Sequence, residues 1–183
     1  GQRGRATTNA GLNWFNQNSG VMNAFSSIYF LDQNTGYISG SAIVLKTTNG
    51  GSNWVNMNAP YISGFENFRE IKFTDANTGY YVSDMGRILK TTNAGLNWTL
   101  LATGTTEALF GIYFTTADTA YVCGFNGTII KTTNAGASWS SQASGLTEIL
   151  TDIWFTNPST GYISTWSGKI LKTTNGGGTF TSI

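Results

Sequence analysis

The octapeptide TTNAGLNW stands at residues 7–14 and again, unchanged, at 91–98, and variants of it occupy 47–54 (TTNGGSNW), 132–139 (TTNAGASW) and 173–180 (TTNGGGTF). Its shared glycines, Gly11, Gly51, Gly95, Gly136 and Gly177, are spaced 40, 44, 41 and 41 residues apart. A unit of that length cannot bury an apolar face alone and is stabilised by stacking on its neighbours, as in a propeller or a solenoid. Two further motifs keep the register. One is an apolar alternation, a polar turn and a tyrosine: IYFLDQNTGY at 28–37, IKFTDANTGY at 71–80, IYFTTADTAY at 112–121 and IWFTNPSTGY at 153–162. The other is IVLK, RILK, TIIK or KILK, just before the octapeptide.

Runs rich in Ile, Val, Tyr and Phe with a period of two, bounded by Gly, Asn and Thr, are strands. No segment pairs a helix cap with a 3.6-residue period. Each repeat therefore reads as four short strands, A to D, and the chain as an all-β β-propeller. The spans are a C–D half blade at 1–20 and blades at 21–60, 61–104, 105–145 and 146–183, together one domain. The octapeptide falls between strands C and D as a turn. There Asn9, Asn49, Asn93, Asn134 and Asn175 are expected to bond the backbone two residues on as Asx-turns, and the glycines to supply positive φ. Trp14, Trp54, Trp98, Trp139 and Phe180 then open strand D against packed neighbours. A half blade leaves strand edges exposed, so the expectation is a piece of a larger propeller, completed by the rest of a longer chain or by another chain.

At these residues the chain resembles known families. Thr-x-Asn-x-Gly-x-x-Trp is similar to the Asp-box, or bacterial neuraminidase repeat, with Asn in place of the usual Asp. The longer string LKTTNAGLNW with TGY upstream resembles the propellers of the photosystem II assembly and stability factor family, and repeats of surface proteins exported by the Bacteroidetes type IX system. The resemblance spans the whole chain and implies a propeller, but Asp-boxes are structural turns of enzymes and binders alike.

Composition narrows the function. Charged residues make up only 10% of the 183-residue chain, against about 25% in an average soluble protein, and the resulting neutral polar surface suits a secreted or cell-surface protein. Lys and Arg total 10 against 9 Asp and Glu, which gives no basic field for nucleic acid or anionic membrane. No apolar run approaches membrane-span length, and Gly1-Gln2-Arg3 does not open a signal peptide, so a mature or excised piece is expected. Cys123 is the only cysteine and histidine is absent, which argues against a transition-metal site, and no cofactor is expected. Cys123 lies in the apolar run AYVCGF and reads as a core thiol.

Comparing the repeats with one another separates frame from working surface. The A–B and C–D turns are nearly constant. The D–A connections (15–24, 55–67, 99–108, 140–149) and B–C turns (39–43, 83–87, 124–128, 165–169) vary and share the opposite face, where recognition is expected. Seven residues before the strand-A phenylalanine stand Asn23, Glu66, Glu107 and Glu148, and three before it Ser27, Glu70, Gly111 and Asp152. This arc of carboxylates reads either as a site for a cation, a sugar or a basic peptide, or as a solvated polar rim. Tyr61, Phe65, Met85, Phe125 and Trp166 in the same loops either contact a sugar or a partner or pack into neighbouring blades. Lys46, Lys90, Lys131 and Lys172 recur before each turn and read as frame. The leading expectation is a non-catalytic binding or scaffold module for a protein or a glycan. The alternatives are an assembly-factor-like protein binder and a sialidase-type glycoside hydrolase fragment. With arginine only at Arg3, Arg5, Arg69 and Arg87, the chain departs from the arginine clusters that both alternative families imply.

Overall fold

A computed structural model describes residues 3–61 and 64–183. Gly1 and Gln2, read above as part of the half blade, and Ile62 and Ser63, read as part of the 55–67 connection, lie outside the described residues. Strands β1 (Arg3–Ala6) and β2 (Phe15–Asn18) form a two-stranded sheet. Four antiparallel sheets of four strands follow, each strand paired with its neighbours in sequence. Blade 1 is β3 (Phe25–Phe30), β4 (Gly36–Gly40), β5 (Ile43–Thr47) and β6 (Val55–Asn56); blade 2 is β7 (Phe68–Phe73), β8 (Gly79–Ser83), β9 (Ile88–Thr91) and β10 (Thr99–Leu101). Blade 3 is β11 (Leu109–Phe114), β12 (Ala120–Gly124), β13 (Ile129–Thr132) and β14 (Ser140–Gln142); blade 4 is β15 (Leu150–Phe155), β16 (Gly161–Thr165), β17 (Ile170–Thr173) and β18 (Thr181–Ser182). The first strands of successive blades lie against one another and so line the axis. The chain is an all-β propeller of four complete blades and a C–D half blade.

The C–D turns differ in one respect from the expected Asx-turn. The Asn Oδ1 accepts the N–H four residues on, at 2.9 Å in all five turns. It is the preceding threonine that bonds two residues on: Thr91 Oγ1 accepts the N–H of Asn93 at 3.3 Å and of Gly95 at 2.9 Å, and donates to Asn93 Oδ1 at 3.0 Å. The cause is two left-handed residues in succession, such as Ala94 (φ 56) and Gly95 (φ 87), which curl the backbone back beneath the asparagine. The closing tryptophan packs on strands A and B of its own blade, as Trp98 does on Phe73 and Tyr81. Trp14, expected to be packed, is exposed, because among the described residues its two-stranded sheet has no A and B strands to cover it.

The core is a series of layers between blades. Tyr37 and Val44 of blade 1 meet Phe68, Ile71 and Phe73 of blade 2, and the same pattern recurs between blades 2 and 3 and between blades 3 and 4. A polar clasp closes each layer. The hydroxyls of Tyr37, Tyr80 and Tyr121 donate to the carbonyls of Ala94, Ala135 and Gly176 in the next blade's C–D turn, at 3.0, 3.0 and 2.6 Å. Lys46, Lys90 and Lys131 reach the same oxygens at 3.3, 3.0 and 2.9 Å. These lysines are frame, through bonds across the blade boundary as well as through their stems. Blade 4 carries the same pair, Tyr162 and Lys172, but Trp154 and Ile170 on that face are exposed.

Candidate binding face

Backbone bonds fasten the variable loops to one another. Ser41, Asp84, Phe125 and Trp166 of the B–C turns donate to the carbonyls of Ala24, Asn67, Ala108 and Ile149, just ahead of strand A. On the other side Gly50, Ala94, Ala135 and Gly176 of the C–D turns donate to the A–B turns. The two turn families therefore occupy opposite faces.

On the variable face every blade carries the same irregularity. The register of strands A and B shifts between Phe25 and Ser27, Phe68 and Glu70, Leu109 and Gly111, and Leu150 and Asp152. Each shift is a β-bulge that frees one residue from the ladder and re-aims its side chain. The freed residues are Ser26, Arg69, Phe110 and Thr151. All four line a single depression of about 570 Å³ at the mouth of the axis, together with Phe25, Ile149 and Trp166. Its volume lies within the range of small-ligand clefts. Arg69 holds Asp84 at 3.2 Å and stacks over the Phe110 ring at 5.4 Å, keeping 40% of its side chain exposed. Trp166 is 79% exposed. The depression thus offers guanidinium donors, three aromatic side chains and two hydroxyls. Such a set fits a carboxylate, a carbonyl-rich strand or a sugar face.

The acidic positions are placed differently. Glu66 is fully buried and receives Arg87 Nη1 on both oxygens, at 3.1 and 2.9 Å. Glu148 meets Lys169 at 2.8 Å, and that partner, with the Ser167 and Thr165 hydroxyls, lowers its pKa to about 2. Asn23 donates to the carbonyl of Ser41. Glu107 is in no ion pair among the described residues and lines a separate depression with Met85.

The second row of positions ties blade 1 to blade 2 and blade 2 to blade 3. Ser27 Oγ accepts the Ile71 N–H at 3.4 Å, and Glu70 Oε2 accepts the Ile112 N–H at 2.6 Å while Oε1 meets Lys72 at 2.9 Å. Burial pushes the Glu70 carboxyl above its usual range, against the pull of Lys72. Gly111 has no side chain to continue the series. Asp152 fills the space, its Oδ1 only 3.1 Å from where a Gly111 Cβ would sit, and accepts the N–H of Ile153 at 2.8 Å.

Of the aromatic candidates, Trp166 alone lines the axial depression; Tyr61, Phe65 and Phe125 are also exposed, and Tyr61 borders a different hollow with Asn23 and Pro60. Cys123 is buried, its thiol pushed up by burial. Among the described residues no group of three or more Cys, Asp or Glu stands close enough to hold a metal ion. Ser26, Arg69, Phe110 and Thr151 were missed as site residues. The available signal was their position: the second residue of FSSIYF, FREIKF, LFGIYF and LTDIWF differs in chemistry from one repeat to the next inside an otherwise similar strand.

No family model matches the chain, and neither does any curated protein. Among solved structures it is similar to YCF48 bound to D1 peptide, with a TM-score of 0.64 at 13% identity over 91% of this chain and 82% of that one. It is similar also to YCF48 from Cyanidioschyzon merolae, at 0.72 and 16% over 87% and 56%, and to the GH74 enzyme of Niastella koreensis, at 0.70 and 17% over 86% and 30%. The chain spans little more than half of the Cyanidioschyzon structure and under a third of the glycoside hydrolase. Likeness at this identity is likeness of fold. The chain shares the β-propeller architecture of proteins that include a peptide binder and glycoside hydrolases.

Proposed function

We propose that this chain is a non-catalytic binding module of a secreted or cell-surface bacterial protein, recognising a protein or glycan through the axial depression of its variable face. The observation that carries the proposal is the bulge row: four equivalent positions, freed from the ladder, display Ser26, Arg69, Phe110 and Thr151 into one hollow beside Trp166. A constant frame presenting unlike side chains at equivalent points is how a repeat scaffold acquires specificity. Low charge and Asp-box-like turns support the extracellular setting and the kinship with type IX-exported repeats.

The assembly-factor-like reading is a protein-binding version of the same site, and a structural neighbour that binds a peptide supports it. The hydrolase reading rests on Glu70, raised by burial and in the field of Asp152. Against it, Glu70 is held by Lys72 and the Ile112 N–H, and Asp152 by the Ile153 N–H.

The test is a glycan array and a peptide array probed with the native chain, Arg69→Ala and Trp166→Ala. Truncating a central anchor costs about 2 kcal/mol or more, roughly 30-fold in affinity. Ligands that both variants lose at that level support the proposal. Ligands that both variants retain, arrays without a ligand, or release of sugar from an arrayed glycan overturn it.

A further inference from the structure

Between blade 1 and the two-stranded sheet lies an apolar slot lined by Ile28, Phe30, Gly51 and Trp54 on one side and by Ala6 and Gln17 on the other. Its equivalents at the other three blade boundaries are filled. Tyr37 stacks on Phe73 at 4.0 Å beside the Gly95 turn, Tyr80 packs tilted against Phe114 at 4.7 Å beside Gly136, and Tyr121 stacks on Phe155 at 4.2 Å beside Gly177. Each tyrosine comes from strand B and stands opposite a strand-C lysine: Lys46, Lys90 and Lys131. At the first boundary strand C is β1, which among the described residues pairs only with β2, and Ala6 holds the lysine's place. Phe30 is accordingly 41% exposed and Ile28 60%, where Phe73 and Ile71 are 5% and 0%.

We propose that this slot docks an extended strand that pairs antiparallel with the free edge of β1 and seats a tyrosine opposite Ala6, between Phe30 and the Gly51–Trp54 turn. The tyrosine hydroxyl donates to the carbonyl of Gly50, the counterpart of Ala94, Ala135 and Gly176. The occupant is an A–B hairpin of this same repeat, carried by polypeptide outside residues 1–183. Its strand B has the pattern small–Tyr–apolar found in Gly36-Tyr37-Ile38, Gly79-Tyr80-Tyr81 and Ala120-Tyr121-Val122. Its strand A lies over Ile28, as β3 lies over β7. A second copy of the described chain does not fit, because each of its B strands is already held between an A and a C strand. This is strand addition at an open sheet edge, with the backbone giving affinity and the aromatic pocket giving register.

The experiment places a copy of residues 68–84 directly ahead of Gly1, so that the added strand B enters β1 as β8 enters β9. Thermal unfolding and hydrogen exchange at the β1 amides are compared with the native chain. The expected result is a rise in Tm of at least about 3 °C with slowed β1 exchange. Replacing the copied Tyr80 by Ala abolishes most of the gain, and replacing it by Phe a smaller part. An unchanged Tm with unchanged β1 exchange, or an equal gain with the alanine version, overturns the proposal. If the extended chain does not fold, the 68–84 peptide and its alanine version are offered in trans to the native chain: slowed β1 exchange with the tyrosine peptide alone supports the slot, and any other result rejects it.

Discussion

Thr91 Oγ1 serves three bonds within one turn, whereas its neighbour Thr92 is exposed. Thr91→Val keeps the shape but leaves the buried Gly95 N–H unpaired, an expected loss of about 1–3 kcal/mol in urea unfolding. Thr92→Val is expected to stay within about 0.5 kcal/mol. The carboxylates set the acid limb. Asp32 and Asp75 are lowered by two backbone N–H donors each, and Glu148 by Lys169, so the folded state holds these protons less tightly than the unfolded chain. Their contribution is complete above the ordinary carboxylate range, about pH 4. It is lost as pH falls toward about 2, where Glu148 protonates. Glu70 runs the other way, since burial raises its pKa and protonation relieves that cost. Stability therefore declines into acid, and Asp32→Asn, Asp75→Asn and Glu148→Gln combined flatten the decline. Asn157 already makes the same A–B turn with a neutral side chain, accepting from Ser159 and Thr160 at 2.9 Å, so the two turns keep their hydrogen bonds while the stability that the ionised carboxylates add at neutral pH is given up.

At the scale of strands, the inner strand of each blade has two jobs, and adjacent residues divide them. The bulge residue faces the axis, and the next one satisfies a strand-A N–H: that of the following blade for Ser27 and Glu70, and that of its own blade for Asp152. Asp152→Ala leaves the Ile153 N–H buried without its acceptor, and the expected cost is about 1–3 kcal/mol, read as a lowered urea midpoint at unchanged m-value. Strand positions and turns were legible in the sequence because both follow from period and from Gly, Asn and Thr chemistry, which act locally. The bulges were not. Alternation counts residues and does not show where a ladder slips, so Arg69 and Phe110 read as ordinary strand positions while Glu66 and Glu148, conspicuous by charge, proved to be engaged with Arg87 and Lys169. Ion pairs across a blade depend on which turn returns beside which strand, and one chain without its fold does not show that.

For the whole molecule, near-identical repeats make a ring segment whose blade contacts recur, and what differs between repeats gathers at one end of the axis. The measurement that tests this most directly is hydrogen exchange of the native chain with and without the strongest ligand from the arrays. Exchange is expected to slow at the strand-A entries 23–27, 64–70, 107–111 and 148–152 and at the B–C turns beside them, with the C–D turns unchanged. Slowing confined to the C–D and A–B turns would contradict this, because the ligand would then sit on the frame.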